Sequence, residues 1–235
     1  MQDAATLAFF AALTLGLAAT AADSAPKAPA RPQAQTRAQA KPQAPPQAQP
    51  PAGRYYMDRA HTSVSFQVSH LGFSHYTARF SRVDGTLQFD PAHPAAMRVE
   101  ATIDPTSLEV NAPPAGFHDQ LMGGNGWFEA AKFPQMTFRS TSVKLVRPHE
   151  ALVTGALTLH GVTAPVTLDV TYNGGYAANS YDPGGARIGF SAHGSLKRSA
   201  FGVSAGIPAP GSSFGVGDQV DIAIETEFNQ KRAGK

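Results

Sequence analysis

From Tyr55 onward the apolar residues recur with a period of two, and that pattern constrains the fold more than any other feature of the chain. In Thr62–His70, Val64, Phe66, Val68 and His70 fall on one side and Ser63, Ser65, Gln67 and Ser69 on the other. Met97, Val99, Ala101 and Ile103 alternate with Arg98, Glu100 and Thr102, and Val166, Leu168, Val170 and Tyr172 with Thr167, Asp169 and Thr171. Near the end, Val220, Ile222, Ile224, Thr226 and Phe228 alternate with Asp221, Ala223, Glu225 and Glu227. Successive side chains of a strand point to opposite faces, so each stretch predicts a half-buried strand. Gly85, Asn173-Gly174-Gly175 and Pro183-Gly184-Gly185 are the expected turns. The chain therefore reads as all-β and antiparallel, with about eight to ten strands. Helical patterning is confined to Phe117–Met122 and a short turn near Trp127–Lys132.

A sheet with this many strands becomes a sandwich or closes on itself, and periodicity alone leaves both open. An eight-stranded barrel is either filled by its own side chains or holds one ligand. The inward-facing candidates are Phe66, Val68, Phe80, Phe89 and Phe138, together with Leu157, Leu159, Phe190 and Ile222. An apolar wall of this kind suits a core as well as a cavity.

The first fifty residues read differently. Leu7–Ala22 is a continuous apolar run, too short to span a bilayer comfortably but suited to a secretory signal, and Ala19-Thr20-Ala21 and Thr20-Ala21-Ala22 offer small-residue cleavage sites. The Met1-Gln2-Asp3 start lacks the usual positive charge. A signal peptide is expected over 1–22 and a disordered Ala/Pro/Gln-rich linker over 23–53. Residues 24–52 hold eight prolines and no large apolar side chain, so they cannot bury enough surface to offset their ordering entropy. As polyproline II, such a segment reaches up to about 90 Å. The barrel domain is expected over 54–231, with a C-terminal tail at 232–235.

Charge follows the same division. Four basic and two acidic residues precede residue 54, and the remaining chain holds fifteen of each, so the basic pI belongs to the tail. A neutral folded part argues against nucleic-acid binding. The chain contains no cysteine, which removes thiol catalysis, thiolate metal sites and disulfides.

Six motifs in order carry a family resemblance. They are Tyr56-x-Asp58-x-x-His61-Thr62-x-Val64-x-Phe66-x-Val68-x-His70-x-Gly72; Gly85-Thr86-Leu87-x-Phe89-Asp90; Trp127-Phe128-Glu129-x-x-Lys132-Phe133-Pro134-x-x-Thr137-Phe138; Gly155-x-Leu157-Thr158-Leu159-His160-Gly161-Val162-Thr163; Arg198-x-x-Phe201-Gly202-Val203; and Gly217-Asp218-x-Val220. The stretch from about Tyr55 to Phe228 resembles the YceI-like proteins. That resemblance implies a lipocalin-like extended barrel around a long isoprenoid chain, in a periplasmic protein without established catalysis. Phe117-His118-Asp119-Gln120-Leu121 departs from the family's Arg-Asp-x-His-Leu element, and Asn125-Gly126 replaces its usual Ser-Asp. If that element helps receive a polar lipid head, head-group preference differs here.

Other chemistries have weaker support. Gly202-Val203-Ser204-Ala205-Gly206 and Gly211-Ser212-Ser213-Phe214-Gly215 match the GxSxG nucleophile pattern, but Ile207-Pro208-Ala209-Pro210 cannot begin the helix that a nucleophile elbow requires. His61, His70, His75, His118 and His160 lack HExxH or His-x-His spacing, so hydrogen bonding is expected of them and not metal ligation. The expected function is non-catalytic binding of a polyprenyl phosphate or prenyl quinone, with no metal and no cofactor beyond the bound lipid. Asp58, His61, His70, Asp119 and Arg198 are the candidates for orienting its head, although hydrogen bonding at a barrel corner suits Asp58 and Arg198 better. Contact with a membrane surface and dimerisation both fit such a carrier. The alternative is an interaction or stress-response module with a filled core.

Overall fold

Each alternating stretch coincides with a strand, Met97 alone standing one residue outside. β1 (Gly53–His70), β2 (Ser74–Phe80), β3 (Val83–Phe89), β4 (Arg98–Ile103) and β5 (Leu108–Glu109) precede helix α1 (Phe117–Gly123). β6 (Met136–Arg147), β7 (Glu150–Leu159), β8 (Val162–Tyr176), β9 (Arg187–Lys197) and β10 (Val216–Asn229) follow it. This computed structural model describes residues 48–232. The expected signal peptide, most of the expected linker and the last three residues of the expected tail lie outside the described residues. Ala48 is already attached to the barrel, its oxygen accepting from the Ala177 amide at 2.8 Å, and Pro50 is buried.

Of the two forms that periodicity leaves open, the chain adopts the closed one. All strand pairs are antiparallel, and β10 returns to pair with β1 from Tyr56↔Asn229 to His70↔Val216. The circuit β1-β3-β4-β6-β7-β8-β9-β10 forms an eight-stranded barrel, and β2 and β5 extend the sheet beside β1. One edge of β1 is shared: residues 53–56 pair with β3 and residues 64–70 with β2. A wide bulge between these halves puts Arg59–Thr62 opposite Thr226 alone. Such a bulge bends its strand and strengthens its twist. Asp58 closes the bulge by accepting from the Ala60 amide (3.1 Å), and the Thr62 hydroxyl donates to the Asp58 backbone oxygen (2.8 Å).

Two of the three glycine turns prove to be strand features. Gly85 lies inside β3, where an added Cβ would come within 2.8 Å of the Glu100 oxygen and 2.9 Å of Met57 Cε. Gly174 lies in β8 beside a bulge at Asn173. Glycine in a strand marks a close approach or a bulge as readily as a turn. Pro183-Gly184-Gly185 does occupy the β8–β9 loop. The helical expectation for Phe117–Met122 holds as α1, whereas Trp127–Lys132 forms turns without a helix. That segment is fixed instead by main-chain bonds to α1, Phe128 to Leu121 at 3.0 Å and Ala130 to Met122 at 2.7 Å.

Several of the motifs that carry the family resemblance, those around Trp127–Pro134, Leu159–Thr163, Arg198–Val203 and Gly217–Asp218, converge on one end of the barrel and shut it. His160 Nε2 meets Glu129 Oε1 at 3.0 Å, with the Phe133 ring 4.4 Å from the imidazole. The Asp218 carboxylate accepts from both the amide and the hydroxyl of Ser199, at 2.9 and 2.8 Å. Phe128 packs edge-on to Phe80 (5.9 Å), and Leu121, Phe201 and Val203 complete a dry layer beneath.

Candidate functional site

An apolar cavity of about 660 Å³ runs inside the barrel, well within the range of small-molecule sites. Eight of the nine wall candidates line it. Phe66, Phe80, Phe89 and Phe138 do so from β1, β2, β3 and β6; Leu157 and Leu159 from β7; Phe190 from β9; and Ile222 from β10. Val68 is the exception. It shares the face of Phe66 and is buried between Tyr76 and Val220 toward the closed end, but does not itself border the empty space, although its partner Val220 does. Alternation identifies the inward face of a strand, not how much of that face borders empty space.

The two ends of the cavity differ. At the closed end, buried Phe80, Met136, Leu159, Val203 and Arg198 surround it. At the other end the lining includes exposed Gln49, Pro91, Arg98, Leu145 and His149, which form a mouth. Tyr172 stands just inside, its ring stacked parallel to His149 at 5.6 Å. Burial raises the Tyr172 pKa, so the phenol stays neutral. The Arg98 guanidinium donates to the Ala95 and Met97 oxygens at 2.9 and 2.6 Å.

The five head-group candidates do not form one rim. Arg198 borders the cavity at its floor, 5% exposed, and donates to the backbone oxygens of Gly217, Val203, Ala205 and Val216 at 2.7–3.1 Å. Its guanidinium also lies 5.6 Å from the Trp127 ring centroid. Burial lowers its pKa from 12.5, opposed by the nearby Asp218 charge. Asp58 and His61 do not line the cavity, because Asp58 pairs with Glu227 while its neighbour Met57 pairs with Phe228, and it is Met57 and Phe228 that face inward. His70 and Asp119 are exposed at the closed end, one at the tip of β1 and the other on α1.

Asp58 serves an outer-wall ionic cluster instead. Its Oδ2 accepts from Arg187 (2.9 Å), His61 (2.9 Å) and Asn229 (3.1 Å), and Arg187 also pairs with Asp182 (2.7 Å) and with Glu227. Desolvation pushes the Asp58 carboxyl up, but these hydrogen bonds outweigh it and hold the pKa down at about 2. The Arg187 hydrogen bond, joined by one from Tyr176, holds Asp182 well below the usual carboxylate range. Asp58, His61 and Glu227 present ligand atoms within 4.8 Å of one another, but the Arg187 cation donates to both carboxylates and opposes a metal there. Ser204 and Ser213 of the two GxSxG stretches sit in the β9–β10 loop, which runs on into a strand.

Comparison with known proteins identifies the family. The YceI-like domain model matches residues 55–228. The chain belongs to the YceI-like family. Protein YceI of Escherichia coli O157:H7 is 38% identical over 184 residues, covering 77% of this chain and 89% of the relative. A UPF0312 protein of Pseudomonas syringae pv. syringae is 35% identical, with 77% and 88% covered. Among solved structures, Burkholderia cenocepacia BcnA matches with a TM-score of 0.60 and 30% identity, over 73% of this chain and 98% of that one. A polyisoprenoid-binding domain from Saccharophagus degradans shares the fold at a TM-score of 0.51 and 16% identity, over 76% and 99%. In this YceI-like chain the mouth residues Arg98, His149 and Tyr172 lie outside the set of sequence candidates. Tyr172 carried a signal, the parity of Val166, Leu168 and Val170. Arg98 and His149 carried none, because both reach the cavity from strand ends and turns where parity lapses.

Proposed function

We propose that this YceI-like protein binds the tail of a long isoprenoid lipid in its barrel, without catalysis, in the bacterial cell envelope. The cavity carries the reading: it is apolar along its length, closed at one end and open at the other. A core filled by its own side chains would leave no such space. Burying hydrocarbon there contributes about 0.8 kcal/mol per CH₂, roughly 4 kcal/mol gross for each five-carbon unit, before ordering costs. The polyisoprenoid-binding description of the S. degradans domain supports the choice of lipid. Export is supported by the signal-like run Leu7–Ala22.

The tail enters from the mouth, because the Arg198 fork and the Glu129–His160 pair lock the floor. The head group, a polyprenyl phosphate or a prenyl quinone, then sits beside Arg98, His149 and Tyr172. Native mass spectrometry of protein purified gently from its own host tests the reading. A species released on denaturation and carrying an isoprene mass ladder is expected, and its mass distinguishes phosphate from quinone. A bare chain that stays bare after incubation with polyprenyl lipids would sink it.

A further inference from the structure

The mouth of the barrel carries a surface that holding a lipid does not require. In the β6–β7 hairpin, Leu145 pairs with Ala151 and Arg147 with Glu150, leaving Val146 as an unpaired bulge residue. Bulges at barrel rims re-aim side chains. Here the bulge breaks the alternation, so two consecutive large apolar residues, Leu145 and Val146, stand 55% and 54% exposed at the lip. Leu145 also lines the cavity, whereas Val146 does not. Tyr181 projects into solvent from the β8–β9 loop at the same end.

Charge surrounds this lip unevenly. Arg54, Arg98, Lys144 and Lys231 are exposed there, and none has a carboxylate within 4 Å among the described residues. Of the carboxylates at that end, Glu150 and Asp182 already hold Arg147 and Arg187, and Asp90 is held by His93 and the amides of Ala92 and His93. At the closed end Phe73 and Phe214 are exposed as well, but the cavity is shut beside them and Asp119 stands nearly free on α1.

We propose that the mouth is a docking surface for an anionic lipid bilayer. Leu145 and Val146 enter the interface, Arg54, Arg98, Lys144 and Lys231 face the head-group phosphates, and the open barrel is brought against the bilayer so that a tail passes without crossing water. The proposal rests on reading the barrel as a lipid cavity. Each basic residue near an anionic surface contributes about 1 kcal/mol, roughly fivefold in affinity, and salt screens it.

Because the chain has no cysteine, Val146→Cys and Phe214→Cys each give the full-length protein a single site for a polarity-sensitive fluorophore. With phosphatidylglycerol vesicles the label at position 146 should shift to the blue, and the label at position 214 should not. Phosphatidylcholine vesicles, high salt, or Lys144→Glu combined with Lys231→Glu should raise the lipid needed for half-saturation at least tenfold. No shift at position 146, equal shifts at both positions, or indifference to charge reversal would each overturn the proposal. Uptake of detergent-dispersed polyprenyl lipid by the same variants is measured separately and should match the parent protein. A persistent, charge-dependent shift at position 146 with no uptake by any variant would remove the cavity reading and leave the docking surface standing.

Discussion

Four of the Arg198 donors are taken up by main-chain oxygens from two segments, residues 203–205 and 216–217, so this side chain acts as a rivet at the barrel floor. Hydrogen bonds from a charged group are worth about 1.5–3 kcal/mol each, and a buried acceptor left unpaired costs a further share. Arg198→Met should therefore lower the unfolding free energy by at least about 3 kcal/mol in urea titration. Arg198→Lys should fall nearly as far, since an ammonium cannot reproduce the planar fork. A loss below about 1 kcal/mol would show that water replaces the guanidinium. Phe66 illustrates the opposite case, a residue whose role is to be apolar. It borders the cavity 5.7 Å from Phe80 and opposite Ile222. Phe66→Asp should weaken lipid uptake at least tenfold in a chain that keeps its β-sheet circular dichroism, while Phe66→Leu should retain it. Undiminished uptake by a folded Phe66→Asp protein would take that residue out of the wall.

At the scale of elements, the β1 bulge is held to β9 and β10 by Arg187 and its carboxylates. Asp58 and Asp182 both have pKa values in the folded chain below their ordinary 3.8. The unfolded chain therefore takes up protons first as the solution is acidified. The stabilisation is complete above about pH 5 and disappears as the pH falls through about 2, at a cost on the order of 2 kcal/mol for Asp58. Urea midpoints should drop between about pH 5 and pH 2.5, and the drop should be smaller in Arg187→Met. An Arg187→Met protein with the same acid dependence as the parent would assign the effect to other carboxylates. The bulge also lets β1 serve two neighbours in turn, β3 and then β2, which carries the sheet past the closed barrel.

For the whole molecule, a ligand that occupies the cavity binds the folded chain alone, since no cavity survives unfolding. Lipid at a hundred times its dissociation constant should add about 2.7 kcal/mol. At roughly 2–4 °C per kcal/mol for a domain of this size, the melting temperature should rise by roughly 5–10 °C in scanning calorimetry. A polyprenyl lipid that leaves the transition unmoved would not be bound in the barrel.

Much of this architecture was legible in the chain because strand geometry is local. A side chain's face follows from its parity, so Val64, Phe66, Ile222 and Phe228 could be assigned inward without knowing any partner strand. The six family-like motifs likewise announced the barrel, although many of their residues build its closed end and only some line the cavity. Gly85 and Gly174 misled as turns because a glycine's local freedom does not say whether another strand crosses it. The return of β10 to β1, the bulge at Arg59–Thr62 and the placement of Asp58 on the outer wall were settled by pairings between residues more than 140 positions apart. Tertiary structure alone also decided that the barrel is hollow, and that its mouth falls beside Leu145 and His149. Inward parity is a property of each strand taken singly, whereas an empty volume depends on how far eight walls stand from one another.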